Sequence, residues 1–159
     1  MLPSIQDLKA AIERGVSNVS LTVEGRSLFL DADQLVPVCR FLKESPDYHM
    51  DYLSNLTAVD YPPDRIEMVY DLYSMAKKHG PVSLKAKLPR ANPSVASLTP
   101  LYRGAEFQER EVYDLFGVTF EGHPDLRRIL MWEGFKGYPM RKDYVPEDQD
   151  VLEDVPGPA

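Results

Sequence analysis

The sequence predicts an α+β fold: helices on one face of a mostly antiparallel sheet, then a further helix and an extended C-terminal segment. Three observations carry the prediction. Apolar residues recur at helical spacing in two short amino-terminal segments, apolar and polar residues alternate in several others, and the order is helix, two strands, helix, three strands.

Ile5, Leu8, Ala11 and Ile12 share one helical face after Ser4, an N-cap residue, with Gly15 as the stop. Val19, Leu21 and Val23 alternate with Ser20 and Thr22. Leu28 to Leu30 follow after Glu24-Gly25-Arg26-Ser27, the composition of a hairpin turn. Leu35, Val38, Cys39 and Leu42 form a second helical stripe, in which Pro37 is tolerated because it falls in the first turn. Leu53 to Tyr61 and Arg65 to Tyr73 read as strands around a Tyr61-Pro-Pro-Asp64 loop, and Val82 to Leu88 alternate as a third. Beyond Pro93 the spacing predicts a short helical piece near 94–98 and a helix from about Leu101 to Phe116. No clear period continues to the end. The chain thus divides into an α+β domain over residues 1–118 and an extended partner-binding segment with an acidic tail over 119–159. So long an irregular stretch signals function or a bound partner.

Composition removes several classes. The 159 residues are 43% hydrophobic and 27% charged, and no apolar run approaches the ~20 residues of a membrane span. The first ten residues carry charge and no apolar signal core, so the cytosol is the expected compartment. One cysteine, Cys39, cannot form an internal disulfide, an iron–sulfur cluster or a thiolate zinc site. His49, His79 and His123 lack metal-ligand spacing, and neither G-x-G-x-x-G nor G-x-x-x-x-G-K occurs. The net charge of −7 disfavours nucleic acid as a partner. Charge is unevenly placed: residues 127–142 hold five bases and one acid, whereas residues 145–159 hold five acids and no base.

The densest chemistry lies between Glu106 and Gly117. On a helix Ala105, Gln108, Val112, Leu115 and Phe116 share a face, and Glu106, Arg110 and Asp114 make an i, i+4, i+8 ladder opposite, either solvated or docked with its charges paired. Glu109, Glu111 and Asp114 diverge too much for paired acid/base work. Trp132, Phe135 and Tyr138 recur every third residue through two glycines, which suits interface anchors. Two other classes stay open. One is an acid/base enzyme using His123 and Asp125 with a helix carboxylate. The other is a weak RNA binder using the bases of 77–87 and 127–142.

Three blocks in order, Glu109-Arg110-Glu111-Val-Tyr-Asp114-Leu-Phe-Gly117, Gly122-His123-Pro124-Asp125-Leu126-Arg127-Arg128-Ile-Leu130 and Pro139-Met-Arg141-Lys142-Asp143, resemble the signature of the C subunit of proton-pumping NADH:quinone oxidoreductase, respiratory complex I, the thirty-kilodalton subunit family. Tyr102, Phe107 and Tyr113 stand where members often carry Trp. The resemblance implies a peripheral-arm subunit with no catalytic, cofactor-binding or metal residue of its own. FMN, iron–sulfur clusters and quinone would lie on partner subunits, and the chain would pack beside the D, B and I types on the cytoplasmic side of the cell membrane. Ferredoxin- or F420-linked complexes and membrane-bound hydrogenases share the blocks, so the electron donor stays open. The signature residues, with Trp132, Phe135 and Tyr138, are the expected interface, and residues 125–143 are expected to become ordered only against partners.

Overall fold

The structure, a computed structural model, describes residues 3–146. The acidic tail expected over 145–159 therefore lies almost wholly outside the described residues. Ser4 caps α1 (Ile5–Gly15): its hydroxyl accepts the Asp7 N–H at 3.2 Å, satisfying one of the N–H groups a helix start leaves open. Gly15 belongs to the helix rather than ending it. A Cβ there would lie 2.2 Å from the Phe41 ring, so glycine is needed for the approach of α2 (Leu35–Glu44). A single 3₁₀ turn at Ala32–Gln34 leads into α2.

Five strands, β1 (Thr22–Glu24), β2 (Ser27–Leu30), β3 (Tyr52–Tyr61), β4 (Arg65–Ser74) and β5 (His79–Pro89), form one sheet in the order β1-β2-β5-β4-β3. All neighbours are antiparallel except β2 and β5. The α+β class and its mostly antiparallel sheet are as the sequence predicts. In the central strands alternation aligns across the register: Leu28 faces Leu84, Ala86 faces Met68, and Met68 faces Ala58. These residues are buried together with Leu8 and Ile12 of α1 and Leu35, Val38, Cys39 and Leu42 of α2. The other face carries Lys85, Lys87, Asp71 and Thr57 at the alternate positions.

Two expectations are corrected. Residues 94–98 are not helical. Ser94–Ala96 is a strand, β6, paired in parallel with β7 (Thr119–Glu121), with Val95 opposite Phe120. Both side chains are buried, and the ladder they form outweighs a local helical tendency in so short a piece. The helix α3 runs Ala105–Phe116 rather than from Leu101, because Leu98 to Gly104 closes turns through the Leu98 and Tyr102 carbonyls. β7, beyond residue 118, completes the ladder with β6.

α3 packs along the outer edge of β3. The Gln108 side chain accepts the Leu56 N–H at 2.7 Å and donates to the Gly104 carbonyl at 3.2 Å, closing an edge hydrogen bond that would otherwise face a neighbouring chain. Gln108→Leu should cost ~1–3 kcal/mol in chemical denaturation by leaving the partly buried Leu56 N–H unsatisfied. Gln108→Glu, which keeps the acceptor, should lose clearly less.

Candidate functional site

The fold brings most of the signature residues together at the C-terminal end of α3, in an arrangement the expected surface ladder does not describe. Glu109, Arg110 and Asp114 are buried rather than solvated. The Arg110 guanidinium pairs with neither Glu106 nor Asp114. It donates from Nε to the Arg127 carbonyl at 3.1 Å and from Nη2 to the Arg128 carbonyl at 3.0 Å. The ladder fails because a returning strand of backbone covers this side of the helix and offers carbonyls closer than the next turn's carboxylates.

Asp114 organises that returning backbone. Its carboxylate accepts the N–H groups of Ile129 (3.1 Å), Leu130 (2.7 Å) and Met131 (2.8 Å), and Arg128 Nη1 donates to it at 2.6 Å. Burial would raise the Asp114 carboxyl, but the three N–H groups and the Arg128 guanidinium outweigh it and hold the group below its ordinary range. Arg128 also donates to the Asp114 carbonyl and to the Gly137 carbonyl, each at 2.9 Å, with its guanidinium over the Phe135 and Tyr138 rings.

The last open carbonyls of α3 are taken by the same segment. Met140 N–H donates to the Leu115 carbonyl at 3.1 Å and Arg141 Nε to the Phe116 carbonyl at 2.7 Å, so two arginines sit at the negative end of the helix dipole. Gly117 ends the helix at φ 74°, and a Cβ there would lie 2.5 Å from the Tyr138 ring. Only glycine permits both the left-handed turn and that ring contact.

A second tie holds the segment to the sheet. Asp60, at the end of β3, accepts Arg90 Nε at 2.6 Å, Arg90 Nη2 at 3.0 Å and the Lys142 N–H at 2.8 Å, and Arg90 also bonds Asp143. The Arg90 fork, with the Lys142 N–H, holds the Asp60 carboxyl below its ordinary range despite burial. Asp60 and Arg90 carry no motif and lie far from the signature in sequence. Their only sequence signal is an acid and a base beside prolines at the ends of long strands.

Residues 125–143 are thus tied to α3 and to the sheet by hydrogen bonds within the chain. The acid/base alternative fails on geometry. The His123 ring is buried, with Nε2 2.9 Å from the Glu106 carbonyl and Nδ1 accepting the Asp125 N–H at 2.9 Å, while the Asp125 carboxylate faces Arg127 at the surface. Glu109 accepts Ser97 Oγ at 2.6 Å and the Leu98 N–H at 2.7 Å, with its carboxyl raised by burial against the pull of those bonds. Of the bases the RNA alternative invokes, Lys87 pairs with Glu24, and Arg128 and Arg141 are engaged by α3. No group of three or more His, Cys, Asp or Glu among the described residues could hold a metal ion.

The wrapped segment leaves several apolar side chains exposed. Leu130 (57%), Trp132 (50%) and Met140 (55%) face solvent although their backbones are anchored. Trp132 meets Phe135 edge to face at 4.8 Å, and Phe135 stacks on Tyr144. Glu111, Pro124, Asp125, Arg127 and Lys142 are also exposed, and Leu126 packs partly into the core. Gly122, φ 80°, turns the chain toward His123.

A family model described as the 30 Kd subunit of respiratory-chain NADH dehydrogenase matches residues 28–150. The C subunit of NADH-quinone oxidoreductase from Moorella thermoacetica is 48% identical over 123 residues, 77% of this chain and 81% of that protein. C subunit 2 of the NADH-quinone oxidoreductase of Rhizobium meliloti is 49% identical over 114 residues, 70% of this chain; that match spans 62% of the relative's length, less than two thirds. Among solved structures, a chain of the archaeal membrane-bound sulfane sulfur reductase, a respiratory membrane complex, superposes with a TM-score of 0.67 at 26% identity, covering 88% of this chain and 85% of that one.

The two neighbouring arginines should separate in the free chain. Arg128→Ala should lower unfolding stability by ~3–5 kcal/mol, because it strips a buried carboxylate of its cation. Arg127→Ala, with its side chain 67% exposed and paired only to Asp125 at the surface, should stay within about 0.5 kcal/mol. Asp114 and Asp60 also set an acid limit. Their folded-state carboxyls lie below the unfolded values, so their stabilisation is complete above the unfolded carboxylate range and is lost as pH falls through their folded values. Urea midpoints measured from neutral pH downward should therefore drop below about pH 4, and Asp114→Asn should flatten that drop while lowering stability at neutral pH.

Proposed function

The chain belongs to the 30 kDa subunit family of respiratory-chain NADH dehydrogenase, and from that membership we propose that it is a non-catalytic peripheral-arm subunit of a proton-translocating NADH:quinone oxidoreductase. In this reading it scaffolds the quinone-site subunit and the iron–sulfur subunits, the D, B and I types, while FMN, clusters and quinone lie on those partners. The observation that carries it is the exposure of Leu130, Trp132 and Met140 along a segment whose backbone is bonded to Asp114 at Leu130 and to the Leu115 carbonyl at Met140. Exposed aromatic and aliphatic anchors held rigid in advance lose little entropy on docking, which is the physical profile of a binding hot spot.

No helix among the described residues is long and apolar enough to cross a membrane. In the proposed reading the chain attaches to the cytoplasmic side of the cell membrane through its partners. The likeness to a chain of the sulfane sulfur reductase complex favours a second reading, the equivalent subunit of a related respiratory complex fed by another donor.

Leu130→Asp combined with Trp132→Ala should leave the melting of the free chain nearly unchanged, since both side chains are exposed, yet lower the assembled complex in native membranes several-fold. Any complex that forms should keep near-normal NADH oxidation by artificial acceptors. Full assembly with abolished turnover would place these residues in chemistry instead of attachment. A stoichiometric chromophore on the purified chain would remove the non-catalytic reading, and comigration with a different dehydrogenase activity would select the second.

A further inference from the structure

A pocket of about 390 Å³ lies between the turn at Gly137 and the end of the described chain, with Lys136, Tyr138, Arg141, Asp143, Tyr144 and Val145 in its wall. Its walls are fixed from outside the pocket. Arg128 holds the Gly137 carbonyl, and the Tyr138 ring fills the space that a side chain at Gly117 would need. Gly137 has φ 87°, and a Cβ there would lie 2.9 Å from the Tyr144 ring, so glycine is what lets that ring close the near side. The Arg141 guanidinium is set by the Phe116 carbonyl at Nε and by the Tyr138 ring, 5.0 Å from its centre. Neither contact takes up the Nη N–H donors, whose fork matches a carboxylate. Asp143, the acid in the wall, is bonded to Arg90, which offsets its charge from the sheet side. The pocket is therefore cationic, open and built in advance.

We propose that this pocket is the docking site of the chain's own acidic continuation, with Glu147, Asp148 and Asp150 set against the cations of its wall, Arg141 foremost. Charge and connection name the occupant. Residues 147–159, outside the described residues, hold five acids and no base, the opposite sign to the five bases and one acid of 127–142. Val145 already lines the pocket, and the three acids follow it by two to five residues. That is a reach of ~7–18 Å along an extended chain. A carboxylate on so short a connection competes as if present at a concentration on the order of mM, which a group on a separate molecule has to match. Exposed ion pairs are individually weak and screened by salt, so the contact is a set of several pairs that salt loosens. The rings of Trp132, Phe135 and Tyr144 join the pocket to the exposed apolar side chains. In the docking reading proposed above, a partner seated there meets the tail at its edge. The contact within the chain does not rest on that reading.

The test attaches a nitroxide to the full chain at Leu152→Cys and measures the broadening of backbone ¹⁵N–¹H signals. Cys39 stays unlabelled, because it is buried and burial pushes its thiol well above the ordinary range. The expected result is strong broadening at Gly137, Tyr138 and Tyr144. None is expected at the turn between β4 and β5, which the strand register puts at the far end of the sheet from Asp60. The tether alone brings the label near the pocket part of the time, so the deciding quantity is the dependence on charge. Glu147→Gln, Asp148→Asn, Asp150→Asn, Glu153→Gln and Asp154→Asn together should reduce the broadening at the pocket about twofold or more, and about 0.5 M salt should do the same to the unaltered tail. These five positions lie outside the described fold, so the anchors of the pocket stay in place. Broadening that survives both treatments overturns the proposal. Pocket signals that stay sharp overturn it too, and leave the pocket to a partner's carboxylate. Equal broadening in an unlabelled ¹⁵N chain mixed with the labelled one also overturns it, and assigns the pocket to a second copy. All arms are read on the free chain, whereas the docking role is read from assembly, so the two fail separately.

Discussion

A buried carboxylate on the last turn of a helix sets the constraint from which the rest of this molecule follows. Asp114 has no exposure of its own, and an ion placed there without partners would cost several kcal/mol. Its position on α3 leaves it out of reach of the sheet, so its donors come from the chain that follows the helix. Arg128 supplies a charge and residues 129–131 supply three successive N–H groups. That demand makes the polypeptide double back over the end of α3, and the remaining contacts follow from the return.

Once the chain has doubled back, two groups of unsatisfied atoms satisfy each other. The α3 carbonyls need donors, and the irregular segment has N–H groups and guanidinium groups without a ladder to join. Met140 and Arg141 close Leu115 and Phe116, and Tyr138 takes the space a side chain at residue 117 would fill. A stretch with little periodic apolar surface is thereby ordered by polar bonds, and its apolar side chains are spared for the outside. The surface proposed for docking and the internal clasp are two sides of one loop.

The core was legible because burial there follows simple periods. Met68 and Leu84 could be placed on the core face from alternation alone, and the stripes of α1 and α2 from helical spacing. The three signature blocks come together in the fold at the C-terminal end of α3. Their roles were not legible. Arg110 spaced four residues from Glu106 and Asp114 looks like a ladder, because spacing reports neighbours on one helix and is blind to a segment folding over it from residue 127 onward. Asp60 and Arg90 gave no local signal for the same reason: their partners lie at 142 and 143, and such distant pairings leave no period to read.

Asp60 is synthesised well before the N–H of Lys142 that completes its bonds, a separation of 82 residues, and Asp114 waits 14 residues for Arg128. On the ribosome Asp60 meets the Arg90 fork as soon as the sheet is finished, whereas Asp114 still lacks its donors when α3 is complete. A chain cut short before residue 128 therefore carries a charged group in its interior with neither cation nor N–H to meet it, and its packing is weakened from within.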